Sequence, residues 1–183
     1  MSVREVLKYG DPRLLERSKE VESFDTAALH RLIADMEDTM AALDGAGLAA
    51  PQIAELQRVV IFGSQDDDAN SRYPDADFVP YTVLINPQIT ILGSEHDGMW
   101  EGCLSVPGMR GYIERPNHIQ YSGFDQFGRL IEREVTGFHA VVVQHECDHL
   151  DGILYPMKLK DMQLFGFSDE IADMLSNHQK KES

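Results

Sequence analysis

The chain has few cysteines, no long apolar run and little positive charge, and each shortage excludes a class of protein. Cys103 and Cys147 are the only cysteines among 183 residues, too few for the disulfide framework of a small secreted domain. The first residues lack the apolar stretch of a signal peptide, and no run approaches the length of a membrane span. These absences predict a cytoplasmic protein in a reducing environment.

The charge balance bears on the choice of partner. The chain carries 16 basic and 31 acidic residues, a formal net charge of −15. Such a protein repels phosphate backbones and anionic lipid heads, so we expect no direct affinity for nucleic acid or membranes. A hydrophobic fraction of 43% is enough for a real core, and no internal repeat or linker divides the chain. We therefore predict a single domain over residues 1–183.

The spacing of apolar residues predicts one early helix and several strands. Apolar residues recur every three or four positions over 25–43, which predicts an amphipathic helix with Asp25 as its N-cap and Gly45 just past its end. Pro87 interrupts the predicted strand 81–92, which is therefore either an edge strand or two strands with a bend. The acidic stretch 63–77 is predicted to be a surface loop. The predicted strands are 58–62, 81–92, 118–125 and 130–136.

Residues 137–152, "GFHAVVVQHECDHLDG", fit a strand or a helix by local composition. The spacing of His145 and His149 favours the helix. A strand would hold these side chains about 13 Å apart, whereas four positions on a helix are about one turn. With a further short helix predicted at 168–177, the pattern indicates an α+β fold. We expect antiparallel sheets around the central helix, with one helix nearer each terminus.

A pair of histidines one helical turn apart can bind one metal ion, and the intervening Glu146 can act on what the metal holds. The third ligand has to come from elsewhere, and Cys103 in "EGCLS" is the candidate. Cysteine with two histidines is a catalytic zinc set that leaves one position open for water. Cys147 lies about 200° round the helix from His145, which predicts a core residue. His139 is off the ligand face and is predicted to be a surface or capping residue.

A third segment, "GAGLAAPQ" (45–52), contains two glycines and an amide. The glycines lack the spacing of a dinucleotide loop, and the segment has no lysine for a phosphate. They do let the backbone pass close to a ligand. The amide of Gln52 is either a capping group in a loop or a donor aimed at an oxyanion.

Together, "GAGLAAPQ", "EGCLS" and "QHECDH" resemble the three motifs of the peptide deformylases, in the same order. The resemblance extends over nearly the whole chain. It implies a metal-dependent hydrolase that removes the formyl group from the initiator methionine of newly made proteins and releases formate. It also implies an α+β fold with antiparallel sheets around the histidine-bearing helix. N-formylmethionyl nascent peptides are the implied partners, which suggests transient proximity to the ribosome.

Matched position by position, the resemblance implies that Cys103, His145 and His149 are the metal ligands. Glu146 is then the general base and acid. One divalent ion is implied, with Fe(II) as the usual physiological metal of the family and Zn or Ni possible in purified protein.

For the substrate, the resemblance implies that the Gln52 side chain and the Leu104 backbone N–H hold the oxyanion. Glu101 matches a carboxylate that pairs with an arginine, here Arg115. Ala46 departs from the branched residue found in many relatives, which leaves fine substrate preference open. The implied groove and methionine pocket are formed by Gly45, Gly47, Met99, Gly102, Phe138 and Val142.

Two other functions remain open from the sequence. A zinc endopeptidase uses the same helix motif on an internal amide, but such enzymes usually take His or Glu as third ligand rather than a thiolate. A closed structural metal site in a binding module would need a fourth protein ligand. Asp148 is the nearest candidate for it, although its place between two ligands indicates a supporting role instead.

Overall fold

The computed structural model describes the backbone of residues 2–64 and 78–182 and the side chains of 2–64 and 78–175. The predicted loop at 63–77 therefore lies, except for its first two residues, outside the described part. The helices over these residues are α1 (Ala27–Ala42), α2 (Gly137–Leu150) and α3 (Ser168–Glu182). The strands are β1 (Gly47–Ala49), β2 (Val59–Phe62), β3 (Thr82–Ile91), β4 (His96–Cys103), β5 (Val106–Pro116), β6 (His118–Phe124), β7 (Leu130–Thr136) and β8 (Phe165–Phe167).

The described strands form two antiparallel sheets, in the orders β1-β2-β3-β6-β7 and β4-β5-β8. Strands β2, β6 and β7 were all predicted. The prediction of an edge strand at Pro87 is wrong, because β3 lies between β2 and β6. Of the alternative, two strands with a bend, only the irregularity is observed: β3 is a single strand with a register shift between Ile85 and Gln88. Asn86 has a φ of 51° at the shift, and its side-chain amide bonds the backbone of Val21.

A helix covers each face of the five-stranded sheet. Side chains alternate along β2, so Ile61 packs with Met36 of α1, while Phe62 packs with Val143 of α2. The smaller sheet lies against the other side of α2, which contacts β5 as well as β1 and β2. Helix α2 thus lies between the two sheets, and the predicted α+β architecture is confirmed.

Helix α1 begins one or two residues later than predicted. Its N-cap is Thr26, whose side chain accepts a hydrogen bond from the Leu29 N–H. Asp25 has a φ of 54° and hydrogen-bonds the ring of His30 at 2.8 Å. Asp25 is therefore not the cap, because Thr26 satisfies the free N–H of the first turn.

The hairpin β4–β5 was not predicted, although it carries Cys103. Its strand β4, "HDGMWEGC", is mostly polar and glycine-containing and has only one buried residue, Glu101. Tyr112 of β5 lies across Gly98, where a Cβ would come within 2.5 Å of the tyrosine ring. The strand is specified by this cross-strand contact rather than by its own propensity.

Helix α2 carries two further residues that could bind metal but were predicted not to, Cys147 and His139, and both are buried. Cys147 is 8% exposed in the core of the larger sheet, as predicted. His139 is 9% exposed, so the prediction of a surface or capping histidine is wrong. Its Nε2 lies 3.2 Å from the Tyr121 hydroxyl, and this partner on β6 makes burial of the imidazole tolerable.

The predicted C-terminal helix is present and longer than expected, since α3 continues to Glu182. The described residues include no helix that is both long and apolar enough to cross a membrane.

Candidate active site

The two histidines of α2 lie side by side, as their spacing predicts. Their ring centroids are 5.2 Å apart, and His149 is 1% exposed. The Cys103 sulfur lies 3.2 Å from Nε2 of His149. The ligand atoms of these three residues are all within 4.8 Å of one another. Thus the structure brings together the three residues predicted as metal ligands.

Cys103 reaches the histidines because of how the β4–β5 hairpin turns. Cys103 pairs with Val106, and the register shifts between Glu101 and Cys103. Cys103 is the last residue of β4, and this irregularity redirects its side chain. Bulges commonly have this effect next to active sites. Glu101 then remains beneath the site, 4% exposed.

A chain of ion pairs supports His145 on the Nδ1 side of its ring, away from Cys103 and His149. Its Nδ1 lies 2.7 Å from Glu101 Oε2, which leaves Nε2 for the site. Arg115 donates to both Glu101 oxygens, at 2.5 and 2.9 Å, and to Asp148 at 2.7 Å. Asp148 also accepts from Lys158 at 2.8 Å. Metal-binding histidines commonly have such a carboxylate partner, which fixes the tautomer and orientation of the ring.

The charges of the cluster suit a cation. Burial alone would raise the pKa of Cys103, but the imidazoles of His149 and His145 hold it well below its usual value. Burial would also raise the pKa of Glu101, but Arg115 and His145 lower it to about 2. Glu101 is therefore anionic near neutral pH, and the lowered pKa of Cys103 favours the thiolate, which is the form of cysteine that binds metal.

The donor set fits a catalytic rather than a closed site. One thiolate sulfur and two imidazole nitrogens suit zinc or iron(II). Within the described part of the chain, the group contains only these three residues. Asp148 is not in it, because its carboxylate is held by Arg115 and Lys158. Three such donors would leave one coordination position of a bound zinc ion open for water, and Asp148 lies behind them, paired with Arg115 and Lys158.

Glu146 is buried beside the ligands. Burial raises its pKa to about 7, with His145 and His149 opposing the shift. Its Oε2 has no hydrogen-bond partner among the residues described, while Oε1 lies against the backbone of Gly47. A carboxylate with an unused oxygen and a pKa near neutrality can accept and return a proton at physiological pH.

Gln52 is 2% exposed and its amide is fixed at both ends. Its Oε1 accepts from the Ala49 N–H at 2.8 Å, so Nε2 faces the site, 3.4 Å from the Cys103 sulfur and 3.1 Å from Ser105 Oγ. Both roles considered for Gln52 are thus compatible with the geometry. Leu104 follows Cys103 at the turn of the hairpin, and its carbonyl accepts from Lys8 Nζ at 3.0 Å.

A groove of about 400 Å³ opens over these groups. Every residue predicted for substrate binding lines it: Gly45, Gly47, Met99, Gly102, Phe138 and Val142. Ala46 lies on the same wall. A methyl group at Gly47 would collide with the carboxylate of Glu146, at 2.3 Å from Oε1. Glycine is therefore needed there for close approach of backbone and carboxylate.

Sequence reasoning missed several residues of the groove lining, among them Lys8, Trp100 and Arg110. Arg110 and Trp100 lie on the β4–β5 hairpin, which the sequence did not reveal as strands. The single tryptophan was the one available signal, since tryptophan is enriched at binding surfaces.

Comparisons with known proteins agree with this geometry. Residues 3–164 match the polypeptide deformylase family. Peptide deformylase 1 of Nitrosomonas europaea is 55% identical over 169 residues, which cover 92% of this chain and 94% of the relative. Peptide deformylase 2 of Ralstonia nicotianae is 54% identical over 96% of this chain and 98% of its own.

Solved structures show the same fold. The class I type b peptide deformylase of Acinetobacter baumannii, bound to Met-Ala-Ser, superposes with a TM-score of 0.81 at 38% identity, over 87% of this chain and all of that one. The Thermotoga maritima enzyme gives 0.77 at 34% identity, over 88% of this chain and all of its own. The match to the family over residues 3–164 and the sequence identity to its members agree with the geometry of the site. The chain therefore belongs to the polypeptide deformylase family.

Proposed function

We propose that the groove over Cys103, His145 and His149 is where this protein carries out its reaction. The protein is a metal-dependent hydrolase that removes the N-terminal formyl group from the initiator methionine of newly made proteins. In this proposal Cys103, His145 and His149 bind a single divalent ion. The observation that carries the assignment is the meeting of one thiolate and two imidazoles within 4.8 Å beside the buried carboxylate of Glu146.

Fe(II) is the metal we propose for the cell, with Zn or Ni able to occupy the same donors in purified protein. A divalent ion held there would act as a Lewis acid that lowers the pKa of water, so that its deprotonated, nucleophilic form is available near neutral pH. Ion pairing of Glu101 with Arg115 keeps that carboxylate ionised, so Glu101 holds the His145 ring with Nε2 towards the site.

Glu146 moves the proton. Its carboxylate accepts a proton from the attacking water as the new bond forms to the formyl carbon. It returns a proton to the amine nitrogen as the C–N bond breaks, so formate and a free N-terminus result. A pKa near 7 suits both transfers, because acid and base forms are then both populated.

Gln52 and Leu104 stabilise the charge that develops on the formyl oxygen. The Gln52 amide is prevented from turning by the Ala49 N–H on its oxygen, so its N–H groups are already oriented. The Leu104 backbone N–H, next to Cys103 in the chain, is the second proposed donor. Donors fixed before the reaction avoid reorganisation during it.

The methionine side chain occupies the apolar end of the groove, between Met99, Phe138 and Val142. A flexible thioether suits such a pocket. The backbone at Gly45, Gly47 and Gly102 lines the path of the peptide. The Acinetobacter baumannii relative was solved with Met-Ala-Ser bound, which supports a peptide in the same groove here.

We infer that residues 1–183 act as one catalytic domain in the cytoplasm, close to ribosomes that release formylated chains. Two features support a reducing compartment: Cys103 and Cys147 are both free thiols, and Cys103 is a proposed ligand. The net charge of −15 disfavours a direct contact with ribosomal RNA, so proximity to the ribosome is proposed to be transient.

The test is a formate-release assay on anaerobically purified protein, with metal analysis of the same sample. Formyl-Met-Ala should release formate, and a peptide with only internal amides should remain intact. Cleavage of the internal peptide would favour the endopeptidase instead. Glu146→Gln keeps shape and size, so metal content should persist while turnover falls at least about 10²-fold. A variant within a few-fold of wild type would exclude Glu146 as the base.

A further inference from the structure

Tyr155 lies directly beside the cluster of Cys103, His145 and His149, although neither the motifs nor the mechanism includes it. It begins the short 3₁₀ helix Tyr155–Lys158 that follows α2, and it is 1% exposed. Its ring stacks on the imidazole of His145, with centroids 6.1 Å apart and planes inclined by 25°. A stacked, fully buried ring restricts how the imidazole can tilt.

The other contacts of His145 leave that motion open. Glu101 bonds Nδ1, and the Cys103 sulfur also hydrogen-bonds the imidazole. Both partners meet the ring at its nitrogen atoms, at its edge rather than on its faces. His149 meets the ring edge-on, at an interplanar angle of 75°. Tyr155 covers one face of the His145 ring and so resists tilting of the ring towards that side. The hydrogen bond between Glu101 and Nδ1 does not provide this restriction.

Tyr155 is itself held firmly. A Cβ at Gly111 would be 3.1 Å from Tyr155 Cε2, so the ring rests on bare backbone of β5. Its hydroxyl donates to the Met109 carbonyl at 3.2 Å. Gly111 is the cross-strand partner of Glu101, so one strand pair carries both the residue that bonds Nδ1 and the support of the stacked ring.

The far end of the same short helix is tied to α2. Lys158 lies 2.8 Å from the Asp148 carboxylate, which in turn accepts from Arg115 at 2.7 Å. The helix is therefore anchored at both ends to groups that contact His145 or its partners. This rigid connection is what lets Tyr155 act on the imidazole rather than follow it.

We propose that Tyr155 is a positioning residue for the metal site: its ring fixes the plane of the His145 imidazole so that Nε2 points at the ion. This inference rests on the proposed role of His145 as a ligand. It concerns the ring of Tyr155, not its hydroxyl, and the two are separable by substitution. Supporting groups of this kind typically change metal affinity by about 10–100-fold.

The experiment compares Tyr155→Leu and Tyr155→Phe with the wild type. Zinc affinity is measured on metal-free protein by competition with a chelator, and the visible spectrum is recorded with Co²⁺ bound. Tyr155→Leu should weaken zinc binding about tenfold or more and shift the Co²⁺ bands. Tyr155→Phe keeps the stacked ring, so it should bind within about threefold of wild type with an unchanged spectrum. Should Tyr155→Leu not fold, Tyr155→Met takes its place, since methionine fills irregular space.

A merely structural role would lower the melting temperature of the metal-free protein and leave both metal readouts unchanged. That result for Tyr155→Leu would overturn the inference, as would equal losses in Tyr155→Leu and Tyr155→Phe. His145→Ala separates this failure from failure of the ligand assignment. If His145→Ala abolishes zinc binding while Tyr155→Leu binds normally, the ligand proposal stands and the positioning role is wrong. If His145→Ala binds zinc like wild type, both are wrong.

Discussion

Replacing Gly47 with alanine should displace the Glu146 carboxylate and leave the rest of the protein intact. The added Cβ would lie 2.3 Å from Glu146 Oε1 and 2.7 Å from its Cδ. Gly47 lies in strand β1 and is not among the described glycines with positive φ, so its backbone conformation accepts an alanine. The three nearest atoms to the added Cβ all belong to Glu146, so the clash with this side chain is the main cost of the substitution.

The size of the effect follows from that distance. Ordinary van der Waals contact begins at 3.4 Å, so the carboxylate oxygen must retreat by about 1 Å. Misplacing a reacting group by about 1 Å can cost about 10²-fold in rate, which corresponds to about 2.7 kcal/mol of activation free energy. The strand cannot easily move instead, because Gly47 pairs with Phe62 in the sheet.

The assay is steady-state formate release with metal content measured on the same samples. Gly47→Ala should lower kcat about 10²-fold, with the metal content of wild type. Gly93→Ala is the matched control. A Cβ at Gly93 would make only ordinary contact, at 3.7 Å from its nearest neighbour, and Gly93 is not among the residues that line the groove. A double-mutant cycle with Glu146→Ala is decisive: once the carboxylate is gone, Gly47→Ala should cause no further loss.

Two results would refute this reasoning. A Gly47→Ala enzyme with kcat within threefold of wild type would mean that Glu146 has room to move without loss. A further large loss in the Glu146→Ala background would mean that the methyl group acts on the substrate path instead.

Three further predictions concern other parts of the molecule. Cys103→Ala removes the sulfur donor of the cluster, so bound zinc after dialysis should fall below about a tenth of the wild-type content; retained stoichiometric zinc would exclude the thiolate ligand. Gln52→Ala should lower kcat roughly 10²–10³-fold with little change in KM and none in metal content, whereas a purely capping amide would lower the melting temperature and spare turnover per bound metal. Burial and Arg133 lower the pKa of His139 to about 4, so below its usual pKa of 6.5 the unfolded chain binds a proton that the folded chain excludes. The unfolding free energy of the metal-free protein, measured with urea, should therefore fall by about 1–2 kcal/mol between pH 7 and 5. In His139→Gln this part of the pH dependence should be absent. An unchanged dependence of unfolding free energy on pH would contradict the lowered pKa of His139.

The site was predictable from the sequence where local spacing determines it. His145 and His149 had to share a helix to meet, and helix α2 fulfils that condition. Three valines in its first half favoured a strand, but they are buried between two sheets, where packing overrides propensity. The β-structure around Cys103 was missed because β4 has no alternation of apolar and polar residues, and its one buried residue is the charged Glu101.

The remaining errors involve contacts between distant segments. His139 is buried because Tyr121, 18 positions earlier, meets its ring, and nothing near His139 in sequence reveals that partner. Tyr155, which stacks on His145, rests against Gly111 of β5, 44 positions earlier in the chain. In both cases a non-local partner decides burial, so spacing along the chain carries no signal.

The ion pairs behind His145 limit how this protein can evolve. Glu101 and Arg115 are 4% and 2% exposed, and removing one member of a buried pair commonly costs about 3–5 kcal/mol. A large part of the stability of a typical domain would be lost in one step. Glu101, Arg115 and Asp148 should therefore vary together or not at all among functional relatives. Lys158 should tolerate substitution better than these three, because 36% of its side chain is exposed and an exposed ion pair contributes little to stability. Libraries built around this site should randomise the three inner positions jointly and vary the lysine separately, with metal affinity measured because the lysine also holds the Tyr155 helix.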